Sequence, residues 1–296
     1  MNKFITLSTS SALLLIGAFF ITSCSSSGGD GDTPAASTIY TGSTTPAAID
    51  ADNAEAIGKA AGESVQIANS STGLPVGIAI DNGIAVNLTE INKIIISHID
   101  ILTLPAGVDI SANFCSSGTA SATDPGSTTS GPVDITTTFN NCALKSSNMT
   151  VSGTVKMHFD DIGNTDAGFS ITYTNFKVTD ANGTTTINMS MVCTSNASCT
   201  FNSDYAGTDG VTHRVTNFSF FGNASTGFNG TATFFHGTYG SISIIVTNIT
   251  YGSCSTYPDG GSIAFSSTNG SSGTIIFNSD CSVSGTWNNG VTSGSF

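Results

Sequence analysis

Seven cysteines and four histidines are the side chains of this chain best suited to chemistry, and the cysteines have the more telling spacing. Cys115 and Cys142 stand as far apart in sequence as Cys254 and Cys281, while Cys193 and Cys199 are near neighbours. No Cys-x-x-Cys spacing of the zinc-binding kind occurs. Six cysteines permit fifteen pairings, and the spacing predicts the set Cys115–Cys142, Cys193–Cys199 and Cys254–Cys281. Disulfides of that number belong to an oxidising compartment. Among the histidines, His158 shares the polar face of a period-two segment with Asp160, so this pair is the metal-ligand combination that the sequence itself places together. Exposed strand residues are the commoner use of such positions. His98 falls in an apolar helical seam and reads as a core-edge residue. His213 beside Arg214, and His236 between Phe235 and Gly237, have no adjacent partner to give them a role. The turn containing Asp160, Asp161, Asn164 and Asp166 is rich in oxygen, but it lacks the spacing and the downstream bidentate acid of a calcium loop. It reads as a hairpin turn. With no nucleophile elbow, Ser-x-x-Lys arrangement, phosphate loop or dinucleotide fingerprint, the chain reads as a non-enzyme that implies no cofactor.

The seventh cysteine, Cys24, closes an apolar run from Leu13 to Ile21 through the small pair Thr22-Ser23, with Lys3 supplying a positive start. The run is too short for a membrane span and reads as an export signal. Residues 1–24 resemble a bacterial lipoprotein signal. That resemblance implies cleavage after Ser23, diacylation of the Cys24 thiol and acylation of the new amine. Each buried methylene adds about 0.8 kcal/mol, so three chains hold a protein on a membrane effectively permanently. Ser25 stands where the sorting pattern of many Gram-negative lipoproteins has Asp for inner-membrane retention, so the resemblance implies the outer membrane. Residues 24–45 open on Ser25-Ser26-Ser27-Gly28-Gly29-Asp30-Gly31-Asp32 and read as a flexible tether.

Charged residues make up only 9% of the chain against 39% hydrophobic, and Ser, Thr, Asn and Gly carry the remaining polarity. A core is therefore available under a neutral, hydroxyl-rich surface. The net charge of −13 becomes one unit more negative when Lys3 leaves with the signal. Phosphate backbones would be repelled, which excludes nucleic acid as a partner through charge.

Two helices are expected ahead of the sheet, within 46–105. Thr44-Thr45-Pro46 looks like a capped start for an Ala-rich helix over 46–68, near whose start Asp50 and Asp52 complement the dipole. Ile84, Leu88, Ile91, Ile95, His98 and Leu102 form a second seam, over 84–103, ended by Pro105. From 106 to 296 the period changes to two. Val151, Val155, Met157 and Phe159 alternate with Ser152, Lys156 and His158, and Asp180-Ala181-Asn182-Gly183 separates two strands. The fold expected is mainly β, an antiparallel sheet, sandwich or barrel-like domain with duplicated hairpins. An integral membrane barrel is disfavoured, because Asn288, Gly290, Thr292 and Gly294 sit where lipid-facing apolar residues belong.

Duplication is visible in two echoes. Phe139-Asn140-Asn141-Cys142 followed by Val151-Ser152-Gly153-Thr154 matches Phe277-Asn278-Ser279-Asp280-Cys281 followed by Val283-Ser284-Gly285-Thr286, and Thr174-Asn175-Phe176 matches Thr216-Asn217-Phe218. Together with the opening Tyr40-Thr41-Gly42, Pro46-Ala47 and Asn53-Ala54, these residues resemble β-rich proteobacterial envelope lipoproteins of no settled biochemical role. The resemblance implies architecture and location but no active site. The expectation is a non-catalytic, outer-membrane-anchored lipoprotein with a binding or structural role, its partners being envelope proteins or surface glycans and the membrane reached through its anchor. The alternative is a carrier of lipid or another hydrophobic ligand, lidded by the 84–103 helix.

Overall fold

The computed structural model describes residues 39–71 and 108–296, apart from 124–129, 146, 162–163, 165–166, 181–182, 196–197, 208, 224–225, 252–253 and 255–257. The signal with Cys24, the 84–103 seam with His98, and Asp166 lie outside the described residues. Among the described residues fourteen strands form one antiparallel sheet in strict chain order. They are β1 (Val108–Asp109), β2 (Cys115–Thr123), β3 (Val133–Leu144), β4 (Thr150–Phe159), β5 (Phe169–Asp180), β6 (Gly183–Ser195), β7 (Ser198–Ala206), β8 (Thr212–Asn223), β9 (Gly227–His236), β10 (Gly240–Thr250), β11 (Gly260–Ser266), β12 (Ser272–Phe277), β13 (Val283–Asn288) and β14 (Ser293–Ser295). Among the described residues no ladder joins β14 back to β1, so the sheet is not closed into a barrel.

The period-two pattern explains this arrangement. Val151, Val155 and Met157 of β4 are buried while Lys156 faces out, and Ile242, Ile244 and Val246 of β10 are buried while Ser243 and Ile245 alternate with them on the other face. All buried rows join in one continuous apolar cluster.

Helix α1 (Ala54–Ser71) lies against this inner face, touching β9, β11, β12 and β13. Its small residues allow the approach. Gly58 sits on Ile275 and Gly62 on the Phe277 ring, where an added Cβ would stand 3.1 and 2.8 Å from the nearest atoms. Every residue from Ala60 to Ala68 is buried, more of the circumference than a flat sheet could cover. The Tyr205 hydroxyl of β7 donates to the Ala60 carbonyl at 3.0 Å and ties the helix to the sheet.

The helix begins later than the Thr-Thr-Pro pattern predicts. Pro46 instead runs parallel beside Ser241 of β10: Ser241 N–H donates to the Thr45 carbonyl at 2.7 Å, and Ala47 N–H to the Ser241 carbonyl at 2.9 Å. The chain turns at Asp50–Asn53, where the Asn53 amide donates to the Ala48 carbonyl, before α1 starts at Ala54. Proline suits a strand edge as well as a first helical turn, because both tolerate its missing N–H. A short helix, α2 (Ser111–Phe114), follows β1 and buries Phe114.

The three disulfides connect Cys115 to Cys142, Cys193 to Cys199 and Cys254 to Cys281, with sequence separations of 27, 6 and 27. These are the pairs expected from spacing. The first staples β2 to β3, and the second clamps the β6–β7 hairpin across the directly paired Cys193 and Cys199.

A recurring bulge bends the sheet. Asn141, Asn175, Asn217 and Asn248 take left-handed backbone angles (φ 48, 48, 54 and 49°) where the register shifts in β3, β5, β8 and β10. Asn adopts that region more readily than other side-chain-bearing residues. In each case its freed N–H finds a side-chain oxygen on the neighbouring strand: Ser152 Oγ at 2.9 Å, Asn188 Oδ1 at 2.6 Å, Asn202 Oδ1 at 2.8 Å and Asn229 Oδ1 at 3.0 Å. Glycine on the opposite side admits the bulge. A Cβ on Gly153 would stand 2.6 Å from the Asn175 carbonyl oxygen, and one on Gly261 2.4 Å from that of Asn248. The Thr-Asn-Phe echo therefore marks a real structural repeat. The Phe-Asn-Cys echo does not mark equivalent places, since Asn141 bulges within β3 whereas Asn278 begins the β12–β13 turn.

Candidate functional site

The two histidines without sequence neighbours meet in space. β7 ends at Ala206, and a tight turn returns the chain as β8: Gly207 N–H donates to the Val211 carbonyl at 2.8 Å, and Val211 N–H to Asp209 Oδ1 at 2.9 Å. His213 is the second residue of β8 and is in phase with buried Val215. His236 ends β9 in phase with buried Phe234, and the ladder pairing Arg214 with Phe235 sets the two histidines side by side. Their ring centroids are 4.5 Å apart, and the rings are 0% and 2% exposed.

Asp209 reaches both from the rim. His213 Nε2 is 3.1 Å from Asp209 Oδ1 in hydrogen-bond geometry, and His236 Nε2 is 3.2 Å from Oδ2 without the alignment a hydrogen bond needs. His236 Nδ1 accepts the Thr238 N–H at 3.2 Å, whereas His213 Nδ1 is buried with no hydrogen-bond partner. Burial lowers the pKa of His213, with Asp209 opposing. Burial also lowers that of His236, helped by the neighbouring His213 and opposed by Asp209, to about 4. Both rings are therefore neutral at pH 7. A Cβ on Gly207 would stand 2.5 Å from His213 Nε2 and 2.8 Å from Asp209 Oδ1, so glycine leaves the notch between them open.

The same end of the sheet receives the N-terminal segment. Ile39 and Tyr40 donate their N–H groups to Asp204 Oδ2, each at 3.1 Å, while Arg214 grips the same carboxylate through Nε at 2.7 Å and Nη2 at 2.9 Å. The guanidinium also lies 4.9 Å from the Tyr40 ring centroid. The Tyr40 hydroxyl donates to the Ser43 carbonyl at 2.6 Å, and Ser43 N–H donates to the Gly237 carbonyl at 3.0 Å. Residues expected to end a free tether are thus pinned from Ile39 onward.

Among the described residues His158 and Asp160 gather no third ligand within reach of a shared ion. Asp134, paired across β3–β4, holds His158 Nδ1 at 2.9 Å, while Asp160 holds Nε2 at 3.2 Å, so the ring is shared between two exposed carboxylates on opposite nitrogens. Asp161 accepts the Gly131 N–H at 2.7 Å, in keeping with a structural turn.

A second feature is an open groove of about 660 Å³ over β10–β14. Ile245, Ala264, Thr274, Thr286 and Ser295 form one cross-strand row along it. None of its lining residues is charged. Trp287 contributes less than its size suggests. It belongs to the opposite alternation, in the row of buried Phe265, and its ring packs over Gly294.

Sequence reasoning missed the Asp209–His213–His236 cluster because only the β8–β9 register unites it. One signal was present: an Asp-Gly turn places Asp209 four residues before a histidine that begins an alternating run. Comparison with family models, curated proteins and solved structures gave no match.

Proposed function

We propose that this chain is a non-catalytic lipoprotein, anchored on the outer membrane through Cys24, with a binding or structural role at the cell envelope. The observation that carries this reading is the use of cysteine. Six of seven are consumed in three disulfides, an economy suited to an exported protein, and the one left over stands at the foot of an export signal. The strap of Ile39 and Tyr40 onto Asp204 and Arg214 further supports it, since a pull on the tether is delivered to the sheet through a buried, charge-assisted clasp. The uncharged groove offers hydroxyls beside apolar Ile245, Ala264, Phe265 and Trp287 to an envelope protein or a neutral glycan. Native mass spectrometry of the detergent-extracted mature protein tests the binding or structural role. An empty protein is expected, and stoichiometric co-purifying lipid would replace this reading with that of a hydrophobic-ligand carrier.

A further inference from the structure

We propose that Asp209, His213 and His236 form a site for a divalent transition-metal ion of the zinc class, at the end of the sheet where the N-terminal strap docks. Four observations converge on it. One ligand atom from each residue lies within 4.8 Å of the others, and no other group of three such side chains does so among the described residues. The two N···O separations, 3.1 and 3.2 Å, match the edge of a coordination polyhedron whose ligands lie about 2.0–2.2 Å from the ion. His236 Nε2 is buried and close to the carboxylate, yet not aimed to donate to it. Gly207 keeps the notch between His213 and Asp209 free of a side chain.

The chemistry of the donor set selects the ion. Two neutral imidazoles with one carboxylate suit zinc, nickel or copper, whereas calcium and magnesium require an oxygen shell. Asp209 is 36% exposed at its side chain and provides the way in. Coordination at His236 Nε2 places that ring's proton on Nδ1, which displaces the Thr238 N–H now donating there; Thr238 is exposed, and water takes over. Three protein ligands leave a fourth position for water or for a group from a partner.

The test is a Co²⁺ titration of the tag-free, detergent-solubilised full mature protein, followed through the visible d–d bands, with Zn²⁺ as competitor. One equivalent of Co²⁺ is expected to bind and to be displaced by Zn²⁺. His236→Gln should abolish binding. Asp209→Asn, at a rim position whose replacement leaves the core alone, should weaken it about ten-fold or more, and Gly207→Ala should also weaken it by filling the notch. His158→Gln should bind as wild type. The proposal is overturned if wild type shows no saturable uptake at micromolar Co²⁺ or Zn²⁺, or if uptake is the same in the Asp209→Asn and Gly207→Ala proteins.

Discussion

Asp204 is 2% exposed and accepts four hydrogen bonds, two from the Arg214 guanidinium and two from the backbone of Ile39 and Tyr40. Such a carboxylate is tolerable only with its charge partner in place. Arg214→Met should therefore cost about 3 kcal/mol or more by chemical denaturation, because a buried charge is left without its counterion. The strap should loosen with it, and limited proteolysis should cut the variant near residue 39 faster than wild type. The His213–His236 pair imposes a pH dependence of its own. Both pKa values are depressed in the fold, so between the ordinary histidine value of 6.5 and about 4 the unfolded chain holds more protons than the native one. Stability in the presence of chelator is therefore complete above about pH 6.5 and declines as pH falls toward 4. His236→Phe should flatten part of that slope in urea titrations across this range.

The asparagine bulges recur on β3, β5, β8 and β10, and each is closed by one side-chain acceptor on an adjacent strand. Asn188, 1% exposed, closes the bulge at Asn175. Removing that oxygen leaves a backbone N–H without its acceptor, so Asn188→Ala should destabilise by about 1–3 kcal/mol, and Asn188→Asp, which keeps the oxygen, should be read against it in thermal melts. The strands themselves were legible from sequence because one face is buried: Val151, Val155 and Met157 betray their strand by alternation alone. The Thr-Asn-Phe echo was legible too, since left-handed bulges select Asn at fixed places. The start of α1 was misjudged because Pro46 serves an edge bridge to Ser241 as readily as a helix start. The metal cluster was hidden for a different reason. Its members come from a turn and two strand ends, and strand register is a property of the whole sheet.

Across the whole molecule, each disulfide with a separation of 27 should stabilise by about 3–4 kcal/mol in the chain-entropy model, so reduction should lower the melting temperature markedly. One sheet in chain order, with α1 against its inner face and the strap from Ile39 fixed at Asp204, makes one compact unit. That body has a reason to be held at a membrane only if Cys24 is acylated. The most direct measurement is metabolic labelling with radioactive palmitate of cells producing wild type or Cys24→Ala, followed by separation of inner membrane, outer membrane and soluble fractions. Label on the wild-type protein in the outer membrane, with an unlabelled and soluble Cys24→Ala protein, is the expected result. A wild-type protein that takes up no label, together with a variant that stays on the membrane, would contradict the lipid anchor and the function proposed from it.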